Sequence, residues 1–147
     1  KRRQAMKINY TEPSVLSVLA IIWQLPQAVI GALIALFGVC FCKDRDYSSF
    51  ETNKIGVFEL RMNLTDRFKF CFSTGPFIIT PYRVNPNIML HESGHSVQSL
   101  YLGPLYLIVV GIPSMILIAF KKIFNKSDEW YHSRYPESWA DKLAGMK

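Results

Sequence analysis

Residues 85–100 read NPNIMLHESGHSVQSL, and the fold turns on whether this stretch is a helix. Asn85 can accept a hydrogen bond from the first free helical N–H groups. Pro86 suits the first helical position, where its missing N–H needs no partner. The spacing predicts a helix from Pro86 to about Leu100, with His91 and His95 one turn apart on the same face. The run His91-Glu92-Ser93-Gly94-His95 is then an H-E-x-x-H pattern. Two imidazoles so spaced can bind one tetrahedral zinc ion, with Glu92 turned toward a water on the metal.

A zinc hydrolase keeps three protein ligands and one open position. Downstream, His132, Glu137 and Asp141 are the candidates for the third ligand. Tyr135-Pro136 opens a second short helix, expected over residues 136–145, which carries Glu137 and Asp141 on one face. Glu137 is the preferred ligand. Asp141 can then accept the free ring N–H of a ligating histidine, the usual outer support of a zinc site. Glu92 would act as general base on the metal's water, whose pKa the ion lowers toward ~7, for attack on a polarised carbonyl.

HESGH followed by ESWAD resembles the gluzincin metallopeptidases, with H-E-x-x-H on one helix and E-x-x-x-D on a later one. The resemblance implies His91, His95 and Glu137 as ligands, Glu92 as catalytic base and Asp141 as the supporting carboxylate. It also implies a Tyr or His that stabilises the oxyanion, for which Tyr131, His132 and Tyr135 are candidates. The stretch HESGHSVQSLYLGPLYLIVVGIPS, with WQLPQ upstream, is similar to a family of small bacterial membrane-associated zincins. That likeness implies the bacterial inner membrane as location.

Composition agrees with a membrane. The chain has 147 residues, is 50% hydrophobic and carries a net charge of +6. It holds no charged residue between Glu12 and Lys43, nor between His95 and Lys121. Each gap meets the ~20 residues that cross a bilayer core. Basic residues precede the first gap (Lys1, Arg2, Arg3, Lys7) and follow the second (Lys121, Lys122, Lys126), as at a membrane face. No motif supports nucleic acid as a partner. The basic start and long apolar run read as an uncleaved anchor. Cys40, Cys42 and Cys71 show no disulfide-framework spacing.

The expected architecture is one α+β, membrane-associated, zincin-like domain over residues 1–147. Residues 14–42 form the first apolar segment, broken by Pro26 into a kinked span or a helical hairpin with its turn at 23–27. Residues 55–99 hold strands (55–62 and 68–80, the latter broken at Gly75-Pro76) and the H-E-x-x-H helix. Residues 43–54 read as loop. Residues 100–120 are a second apolar segment, interrupted at Gly103-Pro104 and at 111–114. Because His95 and Glu137 must share a side of the bilayer, that segment is expected to enter and return, not cross once. Gly31, Ala32, Ala35 and Gly38 could line a contact between copies of the chain.

The leading functional expectation is a zinc metallopeptidase cleaving peptide or protein substrates near the bilayer. The alternatives are a catalytically inactive membrane scaffold and a zinc hydrolase acting on a lipid or acyl group.

Overall fold

A computed structural model describes residues 15–41, 47–52, 58–64, 71–81 and 85–146. The basic stretch 1–13, Cys42, and the expected strand residues 55–57 and 68–70 lie outside the described residues. The architecture is α+β, with a small sheet and helices on either side of it in sequence.

The first apolar block forms α1 (Val15–Trp23) and α2 (Leu25–Phe41). Pro26 lies in the first turn of α2, and its ring excludes the continuation of α1. The axes of α1 and Leu25–Gly38 differ by 95°, so the block is sharply bent at the expected position, as a right-angled elbow. Side chains at the bend hold that angle. Trp23 Nε1 donates to Leu100 O at 3.0 Å, and Gln27 Nε2 donates to Ser99 Oγ at 3.0 Å and Gly103 O at 2.8 Å. Two of these acceptors are carbonyls at or just past the end of the helix over 86–102, and the third is the Ser99 hydroxyl in its last turn.

The sheet comprises β1 (Tyr47–Thr52), β2 (Phe58–Leu64), β3 (Phe72–Thr74) and β4 (Phe77–Pro81), in the spatial order β1-β2-β4-β3. β1 pairs antiparallel with β2, β2 parallel with β4, and β3 antiparallel with β4. β3 and β4 form a hairpin through Gly75-Pro76. Gly75 takes φ +59° at the first central position, the conformation of a type II′ turn. β1 replaces the loop expected over 43–54; YSSFET lacks a strong apolar alternation, and its strand exists through pairing with β2.

Helix α2 packs on the sheet through Ala35 and Ile34, which meet Met62 and Ile79. Gly31 abuts Phe77, whose Cδ2 would lie 2.6 Å from an added Cβ. Gly31 and Ala35 thus face the sheet. Ile78, Ile79 and Thr80 are all fully buried, because β4 is central and both α2 and the following helix pack against it.

That helix is α3 (Pro86–Leu102). Asn85 caps it by accepting from Asn87 N at 3.0 Å, and Pro86 opens it, as the sequence predicts. Gly103, at φ +52°, ends it. A 3₁₀ turn (Gly103–Leu105), a π-helical turn (Leu107–Gly111) and α4 (Ile112–Ile123) follow. The expected break at 111–114 is absent, since Gly111 is helical at φ −57°, ψ −53°. Pro113 cannot donate to Val109 O, and the Tyr135 hydroxyl takes that carbonyl instead, at 2.8 Å. The chain returns through α5 (Asp128–His132) and α6 (Glu137–Ala144), which ends on Gly145 at φ +75°.

Helices α3 and α6 meet backbone to backbone. A Cβ on Gly94 would sit 2.2 Å from Ala140 O. Glu137, Ala140, Asp141 and Ala144 are the buried face of α6, at the i, i+3, i+4, i+7 spacing of one helix side. Gly94→Ala should therefore force α6 outward and destabilise the fold by about 2 kcal/mol or more, read as a lower thermal midpoint in detergent. An unchanged midpoint would show that α6 does not need this contact.

Candidate metal centre

Every group in the site comes from α3, α6 or the segments packed on them. His91 and His95 project from α3 toward Glu137 at the start of α6. Nε2 of His91 lies 2.9 Å, and Nε2 of His95 3.1 Å, from the same oxygen, Oε2 of Glu137. All three residues are buried, Glu137 completely. The sequence-predicted trio is thus brought together, with ligand atoms that all lie within 4.8 Å of one another.

The outer partners set which ring nitrogens face inward. Nδ1 of His91 donates to Oδ1 of Asp141 at 2.7 Å. Nδ1 of His95 lies 2.7 Å from Oε1 of Gln98. Gln98 donates through Nε2 to Pro136 O at 3.0 Å, which leaves its Oε1 as the acceptor. Both imidazoles therefore carry a proton at Nδ1, and each Nε2 faces the same carboxylate oxygen. Three acceptor atoms that converge in a buried space repel unless a cation stands among them. A proton can serve, and so can a metal ion. The donor set of two imidazoles and one carboxylate suits a borderline-soft divalent ion.

The second oxygen of Glu137, Oε1, accepts from the hydroxyl of Ser114 on α4. Ser114 also lies 3.4 Å from the Tyr131 hydroxyl. One side of Glu137 is thereby occupied, and Oε2 is left for the histidines. Glu92 is buried, and its Oε2 has no hydrogen bond among the described residues. It faces Ser73 on β3, and its charge reaches Cys71, whose thiol is pushed up to about 11 by burial and by Glu92. Such an orphaned carboxylate oxygen at the edge of the trio fits a group that receives a proton in the working site.

Electrostatics follow from burial and pairing. Burial lowers the pKa of His91, but hydrogen bonds to Glu137 and Asp141 and the charge of Glu92 outweigh it, raising it to about 9. Burial raises Glu137, yet the hydrogen bonds from His91, His95 and Ser114 prevail and hold it well below the usual carboxylate range. Glu92 moves the other way: burial pushes it up, and the nearby histidines offset only part of that.

The other sequence candidates are placed as follows. Asp141 supports His91 from outside the trio. The Tyr131 hydroxyl lies beside Ser114, close to Glu137. His132 turns to Asp141, with Nδ1 3.3 Å from Oδ2. Tyr135 is exposed, and its hydroxyl is engaged by Val109 O, away from the trio. Gln98, Ser114 and Ser73 were not among the sequence candidates. Gln98 follows His95 at i+3 and so shares its helix face, a spacing that could have flagged it. Ser114 and Ser73 come from distant segments and carry no local signal. Comparison with protein-family models, curated proteins and solved structures finds no match.

A metal ion entering the trio must displace the proton that His91 keeps up to about pH 9 in the metal-free protein. Apparent affinity should therefore rise on the order of tenfold per pH unit up to that value and lose this dependence above it. The stability linkage runs in the opposite direction. His91 pairing stabilises the metal-free fold fully below the ordinary value of 6.5 and is lost as pH rises through about 9. Titration calorimetry with Co²⁺ at several pH values checks the first statement; a flat affinity from pH 7 to pH 9 would contradict it.

Proposed function

We propose that this chain is a zinc metallopeptidase of gluzincin type, working at a membrane. The observation that carries the reading is the convergence of two imidazole Nε2 atoms and one carboxylate oxygen in a buried space. His91, His95 and Glu137 would hold the ion, with Asp141 and Gln98 fixing the two rings. Zinc so held supplies Lewis acidity, lowering the pKa of water and polarising a substrate carbonyl. The chain's own residues do the rest. Glu92, desolvated and with one oxygen lacking a hydrogen bond among the described residues, would accept the water's proton and return it to a leaving amine. Ser114 keeps Glu137 turned so that one oxygen faces the histidines.

Peptide is favoured over an acyl or lipid substrate by the position of β3. This strand is an edge of the sheet and packs on α3 beside Glu92. Thr74 and Phe77 flank the two-residue turn, so the main-chain groups of Ser73, one step away, face outward from β4. The Ser73 carbonyl meets the Tyr106 hydroxyl at 3.4 Å, a long contact. Ser73 and Thr74 are buried, so an extended peptide would pair with this edge by displacing the Tyr106 hydroxyl from the Ser73 carbonyl.

Membrane association is supported by where the apolar residues lie. Leu33 on α2 is 61% exposed, Ile108 65% and Met115 on α4 71%. No single helix among the described residues is long and apolar enough to cross a bilayer, although the α1–α2 elbow is apolar enough as a pair. Ser114 touches Glu137 from α4, while Ile112, Met115 and Ile116 of the same helix are exposed. The site thus lies one helix away from an apolar surface, with Lys121 and Lys122 at the far end of that helix. The bacterial inner membrane is the location we favour, on the sequence resemblance.

Glu92→Gln should retain one zinc per chain and lower peptide hydrolysis by about 10²–10⁴-fold, whereas His91→Ala and Glu137→Ala should lose the metal. Metal analysis and a peptidase assay on detergent-purified protein check both. Undiminished hydrolysis by Glu92→Gln would reject the catalytic role. Full zinc content in His91→Ala or Glu137→Ala would reject the site.

A further inference from the structure

The proposed zinc site has no exposed ligand. The side chains of His91, His95 and Glu137 are 7%, 8% and 0% exposed, so an ion must reach the trio through other groups. A second set of metal-competent atoms adjoins the first and shares one residue with it: His91, His132 and Asp141. Oδ1 of Asp141 lies 2.7 Å from Nδ1 of His91, and Oδ2 lies 3.3 Å from Nδ1 of His132. Ligands about 2.0–2.1 Å from a tetrahedral ion stand about 3.3 Å from each other, so the His132–Asp141 pair already has that spacing. The rings of His91 and His132 meet edge to face, with centroids 4.7 Å apart.

Burial falls along this row. Glu137 is closed off, Asp141 is 3% exposed, and the His132 side chain is 34% exposed. His91 belongs to both sets through opposite ring nitrogens, Nδ1 outward and Nε2 inward. We propose that His132, Asp141 and His91 form an outer cation site for a divalent metal ion, through which the buried trio is loaded and unloaded. The ion is first held by His132 and Asp141, with His91 Nδ1 giving up its proton. It then passes to Nε2, while Nδ1 regains a proton and donates to Asp141. The net exchange is one ion in and the His91 Nε2 proton out to solvent.

This proposal rests on the zinc reading of the trio, and the experiment keeps the two apart. Zinc uptake and release by the metal-free full chain in detergent would be followed by stopped flow with a fluorescent zinc indicator. The chains compared are wild type, His132→Ala and His132→Gln. Glutamine can still donate to Asp141 but is a poor ligand. If His132 is a loading ligand, both variants take up and release zinc about tenfold more slowly, with dissociation constants within about threefold of wild type. Uptake by His132→Gln at the wild-type rate would overturn the proposal. So would a loss of affinity of about 10–100-fold in His132→Ala that glutamine restores, because that pattern belongs to a residue that merely orients Asp141. If His132→Ala does not fold, the glutamine variant decides alone. Failure of the wild type to bind zinc at all would instead overturn the metal reading.

Discussion

Helices α3 and α6 touch through their backbones at Gly94 and Ala140, and the geometry of the site depends on that approach. Any side chain at residue 94 would occupy the space of the Ala140 carbonyl. With the two helices this close, residues one turn either side of the contact come within hydrogen-bonding range. His91 and His95 flank Gly94 on α3; Glu137 and Asp141 flank Ala140 on α6. Glycine in the middle of a helix is ordinarily unfavourable by roughly 0.5–1 kcal/mol relative to alanine. Here that cost is offset by bringing four polar side chains into one cluster.

The cluster inverts the usual placement of polar and apolar groups. Histidines, a glutamate, serines and a glutamine are buried along α3, while leucine, isoleucine and methionine side chains of α2 and α4 are exposed. Buried charge is tolerable only when each group has a partner. His91 has Asp141 and Glu137, His95 has Gln98 and Glu137, and Glu137 has Ser114 as well. Oε2 of Glu92 departs from this rule, as does Oγ of its neighbour Ser73. These two atoms lie beside the trio, where a reactant would be expected, whereas other buried oxygens without a hydrogen bond, such as Oε1 of Gln24 and of Gln27, lie at the elbow. The exposed apolar surfaces, in turn, are what a bilayer would cover.

How much of this was legible in the sequence depended on the range of the interaction. The start of α3 was, since Asn85 and Pro86 act within one turn. The trio was legible because helical periodicity places His91 with His95, and the E-x-x-x-D spacing places Glu137 with Asp141. The course of residues 100–120 was not. A break at Gly111 and Pro113 is the local expectation, but a π-helical turn and a hydroxyl from distant Tyr135 keep the helix continuous. The Trp23–Gln27 elbow was visible as a proline break, although its right angle depends on carbonyls at the end of α3. β1 was missed because its pairing with β2, not its own composition, makes it a strand. Ser114 was missed because no periodicity links an apolar helix to a glutamate on another.

The central claim is that His91, His95 and Glu137 bind one zinc ion. Zinc K-edge X-ray absorption on the purified, zinc-loaded full chain tests it most directly. The account predicts one zinc per chain with a low-coordinate shell of nitrogen and oxygen at about 2.0–2.2 Å and the outer-shell pattern of two imidazoles. A sulfur shell near about 2.3 Å, or the absence of imidazole scattering, would contradict it.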